Sequence, residues 1–138
     1  STGVEFNYTY SQSDSGSEDI QGNAFPLPSN SEHQSNLILW YDNAGFNVRV
    51  AYNWRSEEYV GRAAVNSNAA VLELGQWAEP TGYLDISTSY WFNDYVSVFL
   101  NGTNLTEESR KSYTQFEDQF HSLWVQEARY TLGVNLSF

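Results

Sequence analysis

The segment RYTLGVNLSF, residues 129–138, sets the reading of the whole chain. Tyr130, Leu132, Val134, Leu136 and Phe138 are apolar or aromatic, and Arg129, Thr131, Gly133, Asn135 and Ser137 fall between them. A repeat of two marks a β-strand with one apolar and one wet face. The segment stops on an apolar ring, where a soluble domain commonly ends in frayed polar residues.

The same period recurs upstream. In VEFNYTYS, Val4, Phe6, Tyr8 and Tyr10 alternate with polar residues. In FNVRVAYNWR the alternating set is Phe46, Val48, Val50, Tyr52 and Trp54. In YLDISTSYWF it is Leu84, Ile86, Tyr90 and Phe92, and in YVSVFLNGTN it is Val96, Val98 and Leu100. NLILWY is apolar on both faces and reads as a weaker strand. The pattern predicts six strands, most about ten residues long.

The connections alternate in length. Asp42–Gly45 and Asn93–Asp94 carry tight-turn chemistry. Roughly residues 12–33, 57–81 and 105–125 are long, polar and acidic connections. Tyr113, Phe116, Phe120 and Trp124 recur at helical spacing and predict a helical turn in the last of these.

Composition excludes several classes. Seventeen acidic residues against six basic ones give a formal charge of −11, the wrong sign for a nucleic-acid backbone. Without cysteine there is no disulfide framework, thiolate metal site or thiol nucleophile. No apolar run is long enough for a membrane-spanning helix. The chain starts at Ser1 with no signal peptide in view, so it reads as a mature product or a piece of a longer polypeptide.

Two architectures fit a period of two. One is a soluble β-sandwich; the other is an up-and-down transmembrane β-barrel. Short turns at one end and long loops at the other favour the barrel, as do strands of about ten residues. Aromatics crowd the short turns (Trp40, Tyr41, Phe46, Trp91, Phe92, Tyr95) and return at the far ends (Tyr8, Tyr10, Tyr52, Trp54, Tyr83). Two aromatic rows flanking an aliphatic band match a bilayer's two interfaces. In that frame Arg49, Arg55, Asp85 and Arg129 face the lumen by parity. Six strands are too few to close a spanning barrel, so the remaining strands belong elsewhere in the polypeptide or to another chain.

PLPSNSEHQSNLILWYDNAGFNVRVAYNWRSEEYV (26–60), PTGYLDISTSYWFNDYVSVFLNGTNLTEESRKSY (80–113) and EARYTLGVNLSF (127–138) resemble the C-terminal end of TonB-dependent outer-membrane receptors. The resemblance implies a plugged barrel of about 22 strands, of which residues 1–138 form the last six. It implies an outer-membrane location, with long loops outside and the C-terminus in the periplasm. It also implies partners: outer-membrane lipid, TonB acting on a region before the plug, and the barrel-assembly machinery. Neither plug nor TonB-contacting segment lies in this chain. Thr131, Gly133, Leu136 and Phe138 map onto the family's barrel-assembly signal. Loops would capture a nutrient, and TonB would pull the plug using the inner-membrane proton gradient. The style of the sequence resembles the branch linked to carbohydrate uptake, so a glycan is expected before a ferric siderophore.

Candidate ligand contacts are Trp77, Tyr83, Tyr113, Phe116 and Trp124, aromatic rings amid polar loops that suit stacking on sugars. The bland reading is that these rings pack the loops or sit at the interface. No catalytic, metal or cofactor site is expected. Glu57–Glu58 and Glu107–Glu108 are adjacent pairs, which face opposite ways on a strand. His33 and His121 lack a third ligand, and Asp14–Asp19 lacks calcium-loop spacing and reads as a solvated acidic loop. Sequons at Asn7, Asn101, Asn104 and Asn135 arise from strand alternation and are expected to stay bare. Two other functions fit the pattern: a secreted carbohydrate-binding β-sandwich, and a small non-transporting barrel built from several copies.

Overall fold

The computed structural model describes residues 1–67 and 70–138. The fold is all-β and antiparallel. Its strands are β1 (Thr2–Tyr10), β2 (Asn30–Ser31), β3 (His33–Asn43), β4 (Phe46–Arg55), β5 (Glu58–Ser67) and β6 (Ala70–Ala78). They continue as β7 (Thr81–Asn93), β8 (Val96–Thr103), β9 (Arg110–Thr114), β10 (Phe120–Trp124) and β11 (Arg129–Leu136). They form a six-stranded sheet, β1-β3-β4-β7-β8-β11, and a five-stranded sheet, β10-β9-β6-β5-β2.

The six-stranded sheet is an up-and-down meander built from the six segments of period two. Its hairpins close at the expected turns. Ala44 and Gly45 both take positive φ, 48° and 83°, as a two-residue turn matched to strand twist requires. At the second turn Asn93 Oδ1 accepts the N–H groups of Tyr95 (2.9 Å) and Val96 (3.0 Å), a side chain mimicking a backbone turn.

Register places most apolar residues of the six strands on one face; Ile38, Trp40, Tyr83 and Phe99 lie on the other. Phe6 lies opposite Leu37, Leu37 opposite Tyr52, and Tyr52 opposite Leu84. Thr88 lies opposite Leu100, and Leu100 opposite Leu132. No residue larger than glycine is buried on this face, and Leu132 remains 73% exposed. Val48, Val50, Val98 and Leu100 therefore share one open surface and do not meet across a dry interior. The opposite face carries Asn36, Arg49, Asn53, Asp85, Ser87, Asn101 and Arg129. The sheet is open: β1 pairs only with β3, and β11 only with β8.

Apart from Ile38, buried on the polar face of this sheet, the core lies elsewhere. Phe25 (2% exposed), Tyr59, Ala78 and Tyr113 are buried in the five-stranded sheet and the segment crossing it. Phe25 stacks on Tyr59 at 4.8 Å, and Tyr59 packs against Trp77 at 5.2 Å. The long connections hold strands of their own. Connection 57–81 holds β5 and β6, paired antiparallel, and connection 105–125 holds β9 and β10. The helical turn expected from Tyr113, Phe116, Phe120 and Trp124 is absent. Tyr113 pairs with Trp77 across β6–β9 and with Phe120 across β9–β10. Sheet pairing satisfies the backbone of both strands and overrides a local spacing of aromatics.

Candidate functional site

The two sheets meet at the polar face, where β4 and β7 hand over to β5, β6 and β9. A cavity of about 280 Å³ opens there, lined by Asn53, Arg55, Glu58, Tyr83 and Arg110 among others. Asn53 and Tyr83 are register partners, as are Arg55 and Thr81, so four lining residues stand side by side on one face. Glu58 begins β5, and its carboxylate is held between two cations. Arg55 Nη1 lies 3.7 Å from one oxygen and Arg110 Nη2 3.5 Å from the other. Glu79, also at the rim, is already paired with Lys111 Nζ at 2.7 Å.

The carboxylates beside this cavity have separate work. Glu57 accepts the hydroxyl of Tyr113, while Glu58 faces the arginines. The two neighbouring carboxylates are therefore committed to different partners. Burial, and then the Glu57 carboxylate, raise the Tyr113 hydroxyl above the usual tyrosine range.

The aromatics expected to contact ligand do not form one cluster. Tyr83 lines the cavity. Trp77 and Tyr113 are cross-strand partners, and Tyr113 is only 5% exposed. Its ring therefore belongs to the packing of the five-stranded sheet. Phe116 sits in the turn after β9, and Trp124 ends β10 and is strongly exposed.

Arg49, Arg55, Asp85 and Arg129 share the polar face of the six-stranded sheet. Asp85 Oδ1 accepts the N–H of Asn104 at 2.8 Å, which pins the end of β8 instead of leaving the carboxylate free for an arginine. Asn104 is buried at positive φ. Its side chain donates to the Glu108 and Gln126 carbonyls and accepts the Glu108 N–H. That sequon asparagine is a loop clamp. Thr131 and Gly133 lie on the polar face of β11, with Leu136 on the apolar face and Phe138 just beyond, fully exposed.

The acidic stretch Asp14–Asp19 is largely exposed, and Asp19 also holds its own loop together. Asp19 Oδ1 accepts the N–H groups of Gln21 and Asn23, both at 2.8 Å. Its second oxygen accepts Gln115 Nε2 at 2.9 Å, tying this loop to the turn after β9. The Asn23 backbone bond, with help from Gln115, lowers its carboxyl to about 2. The histidines stay apart in their contacts: His33 Nδ1 meets Tyr8 Oη at 2.6 Å, and His121 Nδ1 meets Gln76 at 3.3 Å.

Sequence reading missed Glu58 and Arg110 as site residues. Glu58 stands three residues after Arg55, a weak clue. Arg110 had none, because β9 itself was unforeseen. None of the protein-family models, curated proteins or solved structures compared with this chain matches it.

Proposed function

We propose that this chain is part of the wall of a TonB-dependent outer-membrane importer, contributing six strands to a larger closed barrel. The observation that carries this reading is the uncovered apolar face. It runs unbroken across six strands, from Val4 and Phe6 through Val50 and Ile86 to Leu132 and Leu136. A surface of that extent needs a nonaqueous neighbour. Tyr41, Phe46 and Tyr90 stand near its turn end, and Tyr8, Tyr52 and Trp54 near its other end, at the levels where ring amphipathicity suits lipid headgroups.

The two free edges support the same conclusion. Unpaired N–H and C=O groups on β1 and β11 cannot rest in hydrocarbon, so further strands must close the wall. The five-stranded sheet then stands above the membrane as a rim at the mouth. Its polar cavity faces the lumen, and a glycan is the nutrient such a surface suits best. A secreted sandwich would need the apolar face covered, and the five-stranded sheet leaves it open.

The test is fractionation of the full-length polypeptide. It is expected in the outer membrane, extractable only with detergent, and migrating differently on gels before and after boiling. Recovery as a soluble monomer without detergent would refute the reading.

A further inference from the structure

The cavity at the sheet junction is cationic in a chain of net charge −11. Two guanidiniums, Arg55 and Arg110, face a single carboxylate, because Lys111 already neutralises Glu79. One positive charge is left over. The contacts that hold Glu58 are also long, at 3.7 and 3.5 Å. A charge-assisted guanidinium–carboxylate bond is closer to ~2.8 Å, and a guanidinium carries about five donors in a fork suited to a carboxylate. Each arginine therefore keeps donors in reserve, and both side chains are 44% exposed to the cavity and solvent. Beside them stand the Asn53 amide, the Thr81 hydroxyl and the Tyr83 ring. That combination pairs a carboxylate fork with hydroxyl partners and an aromatic platform. The volume, about 280 Å³, lies just below the usual range of ligand sites (roughly 300–1,000 Å³) and suits one sugar unit of a chain better than several.

We propose that the Arg55–Arg110 cavity receives the carboxylate of an acidic sugar of the uronate class, with Asn53 and Tyr83 meeting its hydroxyls and ring. This rests on the importer reading and narrows its glycan to an anionic one. Glu58 lies between the two guanidiniums when no ligand is present, and the incoming carboxylate competes with it for their positive charge.

The experiment is calorimetric titration of the full-length protein, purified from membranes in detergent. The probes are digalacturonate, the neutral disaccharide galactobiose, and citrate. Digalacturonate is expected to bind at least ~10-fold tighter than galactobiose, with the preference shrinking at high salt. Arg110→Gln should abolish the preference for digalacturonate over galactobiose. Glu58→Gln should tighten digalacturonate several-fold by removing the competitor, a gain that a purely structural ion pair would not produce. If Arg110→Gln loses the heat-dependent gel shift of a folded barrel, Arg55→Lys and Glu58→Gln decide the matter. Equal affinity for both sugars, tighter binding of citrate than digalacturonate, or weakened digalacturonate binding in Glu58→Gln would overturn the proposal. Any of these would leave the barrel reading standing, since the protein assayed is membrane-extracted. Recovery without detergent would remove both.

Discussion

The decisive perturbation is an arginine at Val50. Phe46 and Trp54 mark the two aromatic levels on β4, and Val50 lies midway between them, opposite Leu39 and Ile86. Eight residues at ~3.3 Å each, tilted by ~40°, span roughly 20 Å of membrane normal, close to the ~25 Å apolar band of such barrels. The proposed barrel puts Val50 near the bilayer midplane, where an arginine on the lipid face costs ~2–4 kcal/mol. That corresponds to a loss of roughly 30- to 1,000-fold in the folding equilibrium. Phe46→Arg, at the interface, should cost only ~0–1 kcal/mol beyond the lost ring. Ala51 is the next residue but points to the other face, opposite Asp85. Ala51→Arg meets a carboxylate and water, and should stay within ~0.5 kcal/mol of the parent. Urea titrations of the full-length protein folded into lipid vesicles, followed by tryptophan fluorescence, read all three. A soluble sandwich with a buried apolar face also punishes Val50→Arg, so the depth profile matters as well as the parity. Equal costs at Val50 and Ala51, or at Val50 and Phe46, would refute the lipid-facing assignment.

Three further outcomes follow from packing and protonation. A Cβ at Gly133 would overlap the Phe99 ring across β8–β11, so Gly133→Val should cost ~1–3 kcal/mol in urea unfolding. Adding Phe99→Ala should recover part of that loss, and strict additivity of the two changes would count against the contact. Asp19→Asn should speed amide exchange at Gln21 and Asn23 at neutral pH, because the charged acceptor is gone. Since Asp19's carboxyl is depressed to about 2, its contribution is full above its unfolded value near 3.8 and disappears as pH falls through about 2. Parent and variant should therefore exchange alike in strong acid; a difference persisting there would exclude the clasp. Tyr113→Phe leaves Glu57 without its hydroxyl donor and should cost ~1–3 kcal/mol. Tyr113's raised ionisation means its contribution is complete below pH 10 and is lost only as pH climbs through the raised value. In ultraviolet difference titration it should ionise after the exposed tyrosines, and ionisation alongside them would contradict its burial.

The alternation of Tyr130, Leu132, Val134 and Leu136, with its five counterparts upstream, was enough to place six strands, two tight turns and the faces of Arg49, Arg55, Asp85 and Arg129. That legibility has a simple cause. Side chains alternate along a strand by covalent geometry, so a period of two is local information. Asn93 and the Ala44–Gly45 pair likewise act through their own backbone and immediate neighbours.

The five-stranded sheet was not local. Tyr113 and Trp124 read as helically spaced, but Tyr113 pairs with Trp77 of β6 and Trp124 with Arg110 of β9, and Gln115 reaches the Asp19 carboxylate from 96 residues away. Nor does any stretch of sequence announce that Arg110 and Arg55 share Glu58, since 55 positions separate the two arginines along the chain. By itself the sequence determined which residues turn to which side of each strand, because that depends only on parity. Only the tertiary structure decided which strands stand beside one another above the main sheet and where their charges converge. Those contacts arise from hydrogen-bond pairing and burial between distant segments, which no local period records.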